Sequence, residues 1–438
     1  MFLSRGGIAA LSETPVPAAS GLAPVALQER VPLYDVLRGF CLFGVLWSNL
    51  NDWYTVAKPA TPLDNALRWT QDWLLEGRFY SMLGFLFGIG FAIQLTRAAQ
   101  RGHDVRNLFL RRMAALLGIG LVHAMLIWHG DILIVYALAG LLLVLFRRSS
   151  TRMLPLAALA LCLLFPYIVF HASAGFNLQL PRYDRTWQQS NEQAFEVYAH
   201  GTWTQVVALG PRKYSGWLVR ELLLGGTSRF LALFLLGLWA VRVDLLARLT
   251  RRRTNIAWAL VGAVVGWVGL QYALLHTSYW WPAPPVSAVA TWRNVRFWWP
   301  PRGVVISFLD HVATWSNSAT YALVFALAMS FAAAAKRLQP LAAVGRMTLT
   351  TYLTQSVVCT VLFYHWGFGL MNKTNLTGLL LVTVLLFLVQ VLLSVWWLNR
   401  YRFGPAEWLW RTLAYGRKLP LRRTSASPAG PVSAAATA

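Results

Sequence analysis

Acidic residues are scarce in this chain. Its 438 residues include 16 Asp and Glu against 39 Lys and Arg, and only 13% of positions are charged. Cysteine is scarcer still: Cys41, Cys162 and Cys359 each sit inside an apolar run. That placement excludes a disulfide framework and a closely spaced thiolate metal site. A glycine-rich phosphate loop, an HExxH helix, a CxxC pair, a GxSxG elbow and an EF-hand loop are all missing from the sequence. ATP-driven work, zinc proteolysis and serine hydrolysis at an elbow therefore lack their usual signatures. No polar stretch is long enough for a soluble domain of ordinary size.

Apolar sequence is what the chain has in quantity. It is 57% hydrophobic with a mean hydropathy of +0.49, the composition of an integral membrane protein whose main partner is the lipid bilayer. Many of its 22 Trp fall at the ends of apolar runs, as interfacial belts require. A net charge of +23 would suggest nucleic acid in a soluble protein. Here the basic residues stand in short connections beside apolar runs, and no nucleic-acid motif is present.

The pattern predicts an all-α, polytopic transmembrane helix bundle of about ten spans: 33–53, 79–98, 112–129, 131–147, 153–171, 229–247, 255–276, 310–335, 341–364 and 376–399. Alternate connections are basic. The first holds Arg97, Arg101, Arg106, Arg111 and Arg112; the later ones hold Arg147, Arg148 and Arg152, then Arg248 and Arg251 to Arg253, then Lys336 and Arg337. The positive-inside rule then places both termini in the cytoplasm. Residues 1–30 and 417–438 are predicted as disordered cytoplasmic tails around a transmembrane domain at 31–416. Connections at 172–228 and 277–309 are predicted on the outer face, the first with amphipathic helices. Gly84 and Gly88 give a GxxxG spacing that permits close helix contact.

Three spans carry polar residues of interest. Val31 to Trp53 holds Asp35, Arg38, Asn49 and Asp52; Arg38 and Asn49 are eleven residues apart, hence on one face about three turns apart. Such a stripe turns away from lipid, because unpaired polar groups there cost several kcal/mol. Either Arg38 anchors in the headgroups and Asn49 and Asp52 lie at the outer rim, or the stripe lines a site. Span three places His123 eleven residues past Arg112. An intramembrane imidazole is a general base or a helix-packing hydrogen bonder. Asp131 orients a histidine or caps the next span. In span nine Thr348, Thr351 and Gln355 share a face, and Tyr352 and Gln355 are donors for a carbonyl or oxyanion, or else ties between helices.

The segments DVLRGFCLFGVLWSNL, EGRFYSMLGFLFGIGFAIQL, LGIGLVHAMLIWHGDILIVYALAGLLL, GRMTLTTYLTQS and GPAEWLWR together resemble the YeiB family, a bacterial inner-membrane family also known as a domain of unknown function. The resemblance runs in order over most of residues 31–416. More distantly, that family is similar to transmembrane acyltransferases, including the acyltransferase-three enzymes and heparan-alpha-glucosaminide N-acetyltransferase. Those families typically carry a basic residue and, after ten intervening positions, His or Asn in the first span; Arg38 and Asn49 are similar to the Asn form. No His stands in this first span, so no base carries over, and His123 is a candidate on its own chemistry.

The resemblance implies transfer of an acyl group from a cytoplasmic thioester, acetyl-CoA or another acyl-CoA, to a small-molecule or glycan acceptor, with no permanently bound cofactor. On that reading Arg38, Arg97 and Arg112 meet the donor's phosphates, unless they only fix topology. His123 takes the acceptor proton beside Asp131, and Asn49 or Gln355 stabilises the oxyanion. A transporter or exporter of a small organic solute is the alternative. The sequence sets no subunit number.

Overall fold

A computed structural model describes residues 31–423, apart from 54–60, 101, 103, 105, 176–184, 224–225, 281–301 and 372. The tail expected at 1–30, residues 424–438 of the tail expected at 417–438, and the centre of the connection expected at 277–309 lie outside the described residues. So does the side chain of Asp52.

The described chain is helical. In order it forms α1 (Pro32–Trp53), α2 (Pro62–Thr70), α3 (Arg78–Gln100), α4 (Arg106–Leu126), α5 (Leu133–Leu143), α6 (Met153–Gly175), α7 (Arg185–His200), α8 (Trp203–Leu223) and α9 (Gly226–Arg242). Then follow α10 (Leu245–Thr250), α11 (Arg253–Trp280), α12 (Arg302–Met329), α13 (Ala332–Arg337), α14 (Gln339–Arg346), α15 (Thr348–Phe363), α16 (Leu376–Arg400) and α17 (Pro405–Tyr415). Each apolar run of the sequence is helical here. The run at 341–364 divides at Met347 into α14 and α15. The connection at 172–228 holds the two helices α7 and α8.

This is a membrane protein. Four described helical stretches, Pro62–Gln100, Arg106–Leu126, Arg253–His276 and Leu376–Arg400, are long and apolar enough to cross a bilayer. The outermost helices show why. Trp258 on α11 is 75% exposed and Leu392 on α16 is 70% exposed, and both belong to continuous apolar faces that only lipid can cover.

α1 is central and packs against α3, α12, α14, α15 and α16. Its Val36, Cys41, Val45 and Leu46 are buried. Small residues allow the closest approaches. A Cβ on Gly88 of α3 would meet the backbone of Phe234 on α9, and one on Gly237 of α9 would meet the backbone of Phe85 and Gly88. The GxxxG spacing of α3 thus has its partner in α9. Gly345 and Gly39 do the same between α14 and α1.

The stretch expected as tail from residue 417 is bound as far as Arg423. Arg402 N–H donates to Leu421 O at 2.9 Å, and the indole N–H of Trp408 donates to Leu419 O at 2.8 Å. This folds residues 419–423 back beside the start of α17.

Candidate functional site

One cavity of about 360 Å³ lies among α1, α3, α4, α5, α15 and α17. From Arg97 to Tyr80 it follows seventeen residues of α3, roughly 25 Å at 1.5 Å per residue. Its walls change character along that length.

The basic end carries Arg38, Arg97, Arg112, Arg346 and Arg411 against two carboxylates, Asp35 and Glu407. Spacing on α1 pairs Arg38 with Asp35 at i, i+3, with Nη1 to Oδ1 at 3.0 Å. Arg112 is placed by two elements. Its Nη1 donates to Gln94 Oε1 on α3 at 2.6 Å, and its guanidinium lies 4.4 Å over the Trp410 ring of α17. Trp410 returns an indole hydrogen bond to Arg112 O at 2.8 Å.

Glu407 is committed elsewhere. Its Oε1 accepts from the amides of Leu349 (2.6 Å) and Thr350 (3.1 Å), and its Oε2 from the Thr350 hydroxyl (2.6 Å). It caps the N-terminus of α15, where orphan amides and the helix dipole favour a carboxylate. Burial raises its carboxyl above the ordinary glutamate range, opposed by these donors. With one acid spent on a helix and the other on Arg38, the basic end carries an excess of positive charge suited to an anion.

The middle of the cavity is apolar, walled by Leu42, Leu83, Leu86, Phe87, Met113 and Leu116. The far end is phenolic. Tyr80, Tyr136 and Tyr352 line it. The Tyr136 hydroxyl donates to Tyr80 O at 2.8 Å, and the Tyr80 hydroxyl donates to Asn49 Oδ1. Asn49 itself is buried behind Tyr80.

Behind Tyr352 lies the pair His123 and Asp131. His123 Nδ1 is 2.7 Å from Asp131 Oδ2, and the two side chains are 1% and 0% exposed. Asp131 Oδ1 accepts from the Ile134 amide at 3.0 Å. The carboxylate therefore fills both expected roles, orienting a histidine and capping α5. A carboxylate only accepts, so the proton sits on Nδ1 and Nε2 is left as the basic nitrogen. Nε2 is buried and has no hydrogen-bond partner among the described residues. The His123 and Tyr352 rings are 5.3 Å apart, and the Tyr352 hydroxyl accepts from the Ile132 amide at 3.4 Å.

The sequence candidates thus separate. Arg38, Arg97 and Arg112 meet at the basic end. Asn49 and His123 both approach the far end from behind, each through a tyrosine of the wall. Gln355 stands off the cavity: its Nε2 donates to Leu42 O (3.2 Å) and Gln390 Oε1 (2.9 Å), tying α15 to α1 and α16. Gln94 and Gln390, which seem isolated in sequence, are the partners of Arg112 and Gln355. Sequence reasoning missed Glu407, Trp410 and Arg411. The signal was a lone acid at the start of GPAEWLWR, in a stretch otherwise basic and aromatic.

A family model described as "Protein of unknown function (DUF418)" matches residues 240–417. The chain is 30% identical to "Uncharacterized protein YxaH" of Bacillus subtilis (strain 168), covering 90% of this chain and 97% of the relative. It is 28% identical to an "Uncharacterized 39.9 kDa protein in amylase 3'region" of Bacillus acidopullulyticus, covering 91% and 97%. It is 27% identical to "Uncharacterized protein YeiB" of Escherichia coli (strain K12), covering 88% and 96%.

Proposed function

The chain belongs to the YeiB family, and from that premise we propose that it is a transmembrane acyltransferase. It moves an acyl group from a cytoplasmic thioester, acetyl-CoA or a longer acyl-CoA, to a small-molecule or glycan acceptor. On this reading it sits in the bacterial inner membrane with about ten spans and both termini in the cytoplasm, so the basic end of the cavity opens inward.

The observation that carries the reading is the His123–Asp131 pair, with its basic nitrogen held unpartnered behind the far end of a cavity whose other end is cationic. Arg38, Arg97 and Arg112 receive the donor's phosphates. The acceptor oxygen or nitrogen attacks the thioester carbonyl carbon while His123 Nε2 takes its proton. Electrons move to the carbonyl oxygen, where the Tyr352 hydroxyl, on the cavity wall beside His123, serves as the donor. The intermediate collapses, the carbon–sulfur bond breaks, and the thiolate takes the proton back from the imidazolium. Asn49 acts through Tyr80, and Gln355 holds the helices.

A second reading has one observation in its favour. A cavity with a charged end and a phenolic end wall is also one state of an alternating-access exporter. Calorimetry of the purified protein with acetyl-CoA and longer acyl-CoAs separates the two. Saturable binding that Arg38→Ala weakens about tenfold at low salt, and less at high salt where the removed charge is already screened, supports the acyltransferase. No binding to any thioester overturns it, and solute uptake in vesicles then tests the exporter.

A further inference from the structure

His123 is close to the cavity and yet does not line it. Two rings stand against the imidazole, Trp128 with centroids 6.4 Å away and Tyr352 at 5.3 Å. Of these, Tyr352 is also a wall of the cavity. We infer that Tyr352 is a movable partition: His123 Nε2 reaches the cavity only when the Tyr352 ring turns into the cavity's open volume.

Three observations support it. First, His123 Nε2 is a buried ring nitrogen with no partner among the described residues, an arrangement that is costly unless something else meets it, and an opening toward the cavity would let a ligand or water do so. Second, the tether that holds the phenol in place is weak. The Ile132 amide reaches the Tyr352 hydroxyl only at 3.4 Å, the long limit of a hydrogen bond. Third, the two sides of the ring differ. Toward His123 it meets packed, buried side chains, while toward the cavity it meets open space. The cavity side is thus the direction in which the ring has free volume to turn. Tyr352 thus controls access to the base, beside its role as the oxyanion donor in the proposed reaction. The phenol that shields Nε2 from water in the closed state stands beside it when the way is open.

The inference shares its site with the proposed acyl transfer, but its test reads accessibility and needs no acyl donor. Diethyl pyrocarbonate acylates a neutral imidazole nitrogen, with ethyl carbonate as leaving group. Full-length protein in micelles is treated with it, and modification of each histidine is followed by peptide mass spectrometry. His200, which is largely exposed, is the fast reference.

In the wild type His123 is expected to react about tenfold or more slowly than His200, because it must wait for an opening. Tyr352→Ala is expected to raise the His123 rate about tenfold while His129 and His200 stay within twofold. Tyr352→Phe removes only the tether and is expected to give an increase of about two- to fivefold. If His123 in the wild type reacts as fast as His200, the partition does not exist. An unchanged His123 rate in a folded Tyr352→Ala protein also overturns the inference. Should all histidines of Tyr352→Ala accelerate together, that variant has unfolded and Tyr352→Phe decides: a His123 rate equal to wild type then refutes the partition. Loss of acyl-CoA binding alongside a positive accessibility result would remove the acyltransferase reading and leave the partition standing.

Discussion

Replacing Asp131 by alanine removes two interactions at once. The Ile134 amide at the start of α5 loses its side-chain cap, a loss of about 1 kcal/mol. The His123 Nδ1–H is left buried without an acceptor, which costs a further ~1–3 kcal/mol. The expected destabilisation is therefore about 2–4 kcal/mol, read from SDS titration in mixed micelles followed by tryptophan fluorescence. Asp131→Asn separates the two. Its Oδ1 still caps Ile134, so stability is expected within about 1 kcal/mol of the wild type. Its amide, however, presents N–H toward Nδ1, which must then accept. The proton moves to Nε2 and the base disappears. On the proposed function, acyl transfer is then expected to fall on the order of a thousandfold or more with donor binding unchanged. In the double variant His123→Ala, Asp131→Ala the loss is expected to be smaller than the sum by about 1–2 kcal/mol, since both changes break one contact. Equal destabilisation by Asp131→Ala and Asp131→Asn would refute the cap. An additive double variant would refute the pairing.

Glu407→Ala strips the first amides of α15 of their acceptor and is expected to cost roughly 2 kcal/mol or more, whereas Glu407→Gln keeps an acceptor and loses less. Because burial raises this carboxyl, the folded state holds its proton more tightly than the unfolded one. Its contribution is full below the ordinary glutamate value of about 4.3 and is lost as pH rises through the raised value. Unfolding profiles across that range are expected to flatten in Glu407→Gln. Gly88→Val drives a side chain into the backbone of Phe234 and is expected to cost about 1–3 kcal/mol or more, while Gly118→Ala, which meets nothing within 4 Å, stays within about 0.5 kcal/mol. The same SDS titration reads both.

Helix content and membrane class were legible because lipid imposes them: every backbone amide must be paired within the chain, and long apolar runs leave only helices. His123 and Asp131 were legible as individuals, since an ionisable side chain inside an apolar run is rare enough to attract notice. What periodicity on single helices does not carry is depth and partner. Gln355 shares a face with Thr351 and so reads as part of a polar lining. In space that face meets α1 and α16, and the amide is consumed by Leu42 O and Gln390. Tyr80 and Tyr136 read as ordinary aromatic residues in apolar runs, yet their hydroxyls are used across helices and within the wall of the cavity. Glu407 went unnoticed because its partner lies fifty-eight residues earlier in the chain, beyond the reach of any local pattern.

That distant pairing links the two ends of the cavity. Glu407 caps α15 at Leu349 and Thr350, and Tyr352 follows within the next turn. Trp410, one turn beyond Glu407 on α17, holds Arg112 at the basic end. Were an anion at Arg112 or Arg411 to displace α17, the Glu407 cap at the start of α15 would be the contact that carries the shift, one turn from the tyrosine beside His123. Helices are stiff along their axes and packed interfaces change between discrete arrangements, so these contacts give such a shift a physical route from the charged end to the phenolic end. The physical test is a coupling energy between the two ends. If occupancy of the basic end biases the Tyr352 ring, Trp410→Ala is expected to change the His123 modification rate. Equal rates in the two proteins would mean that the cavity's ends act independently.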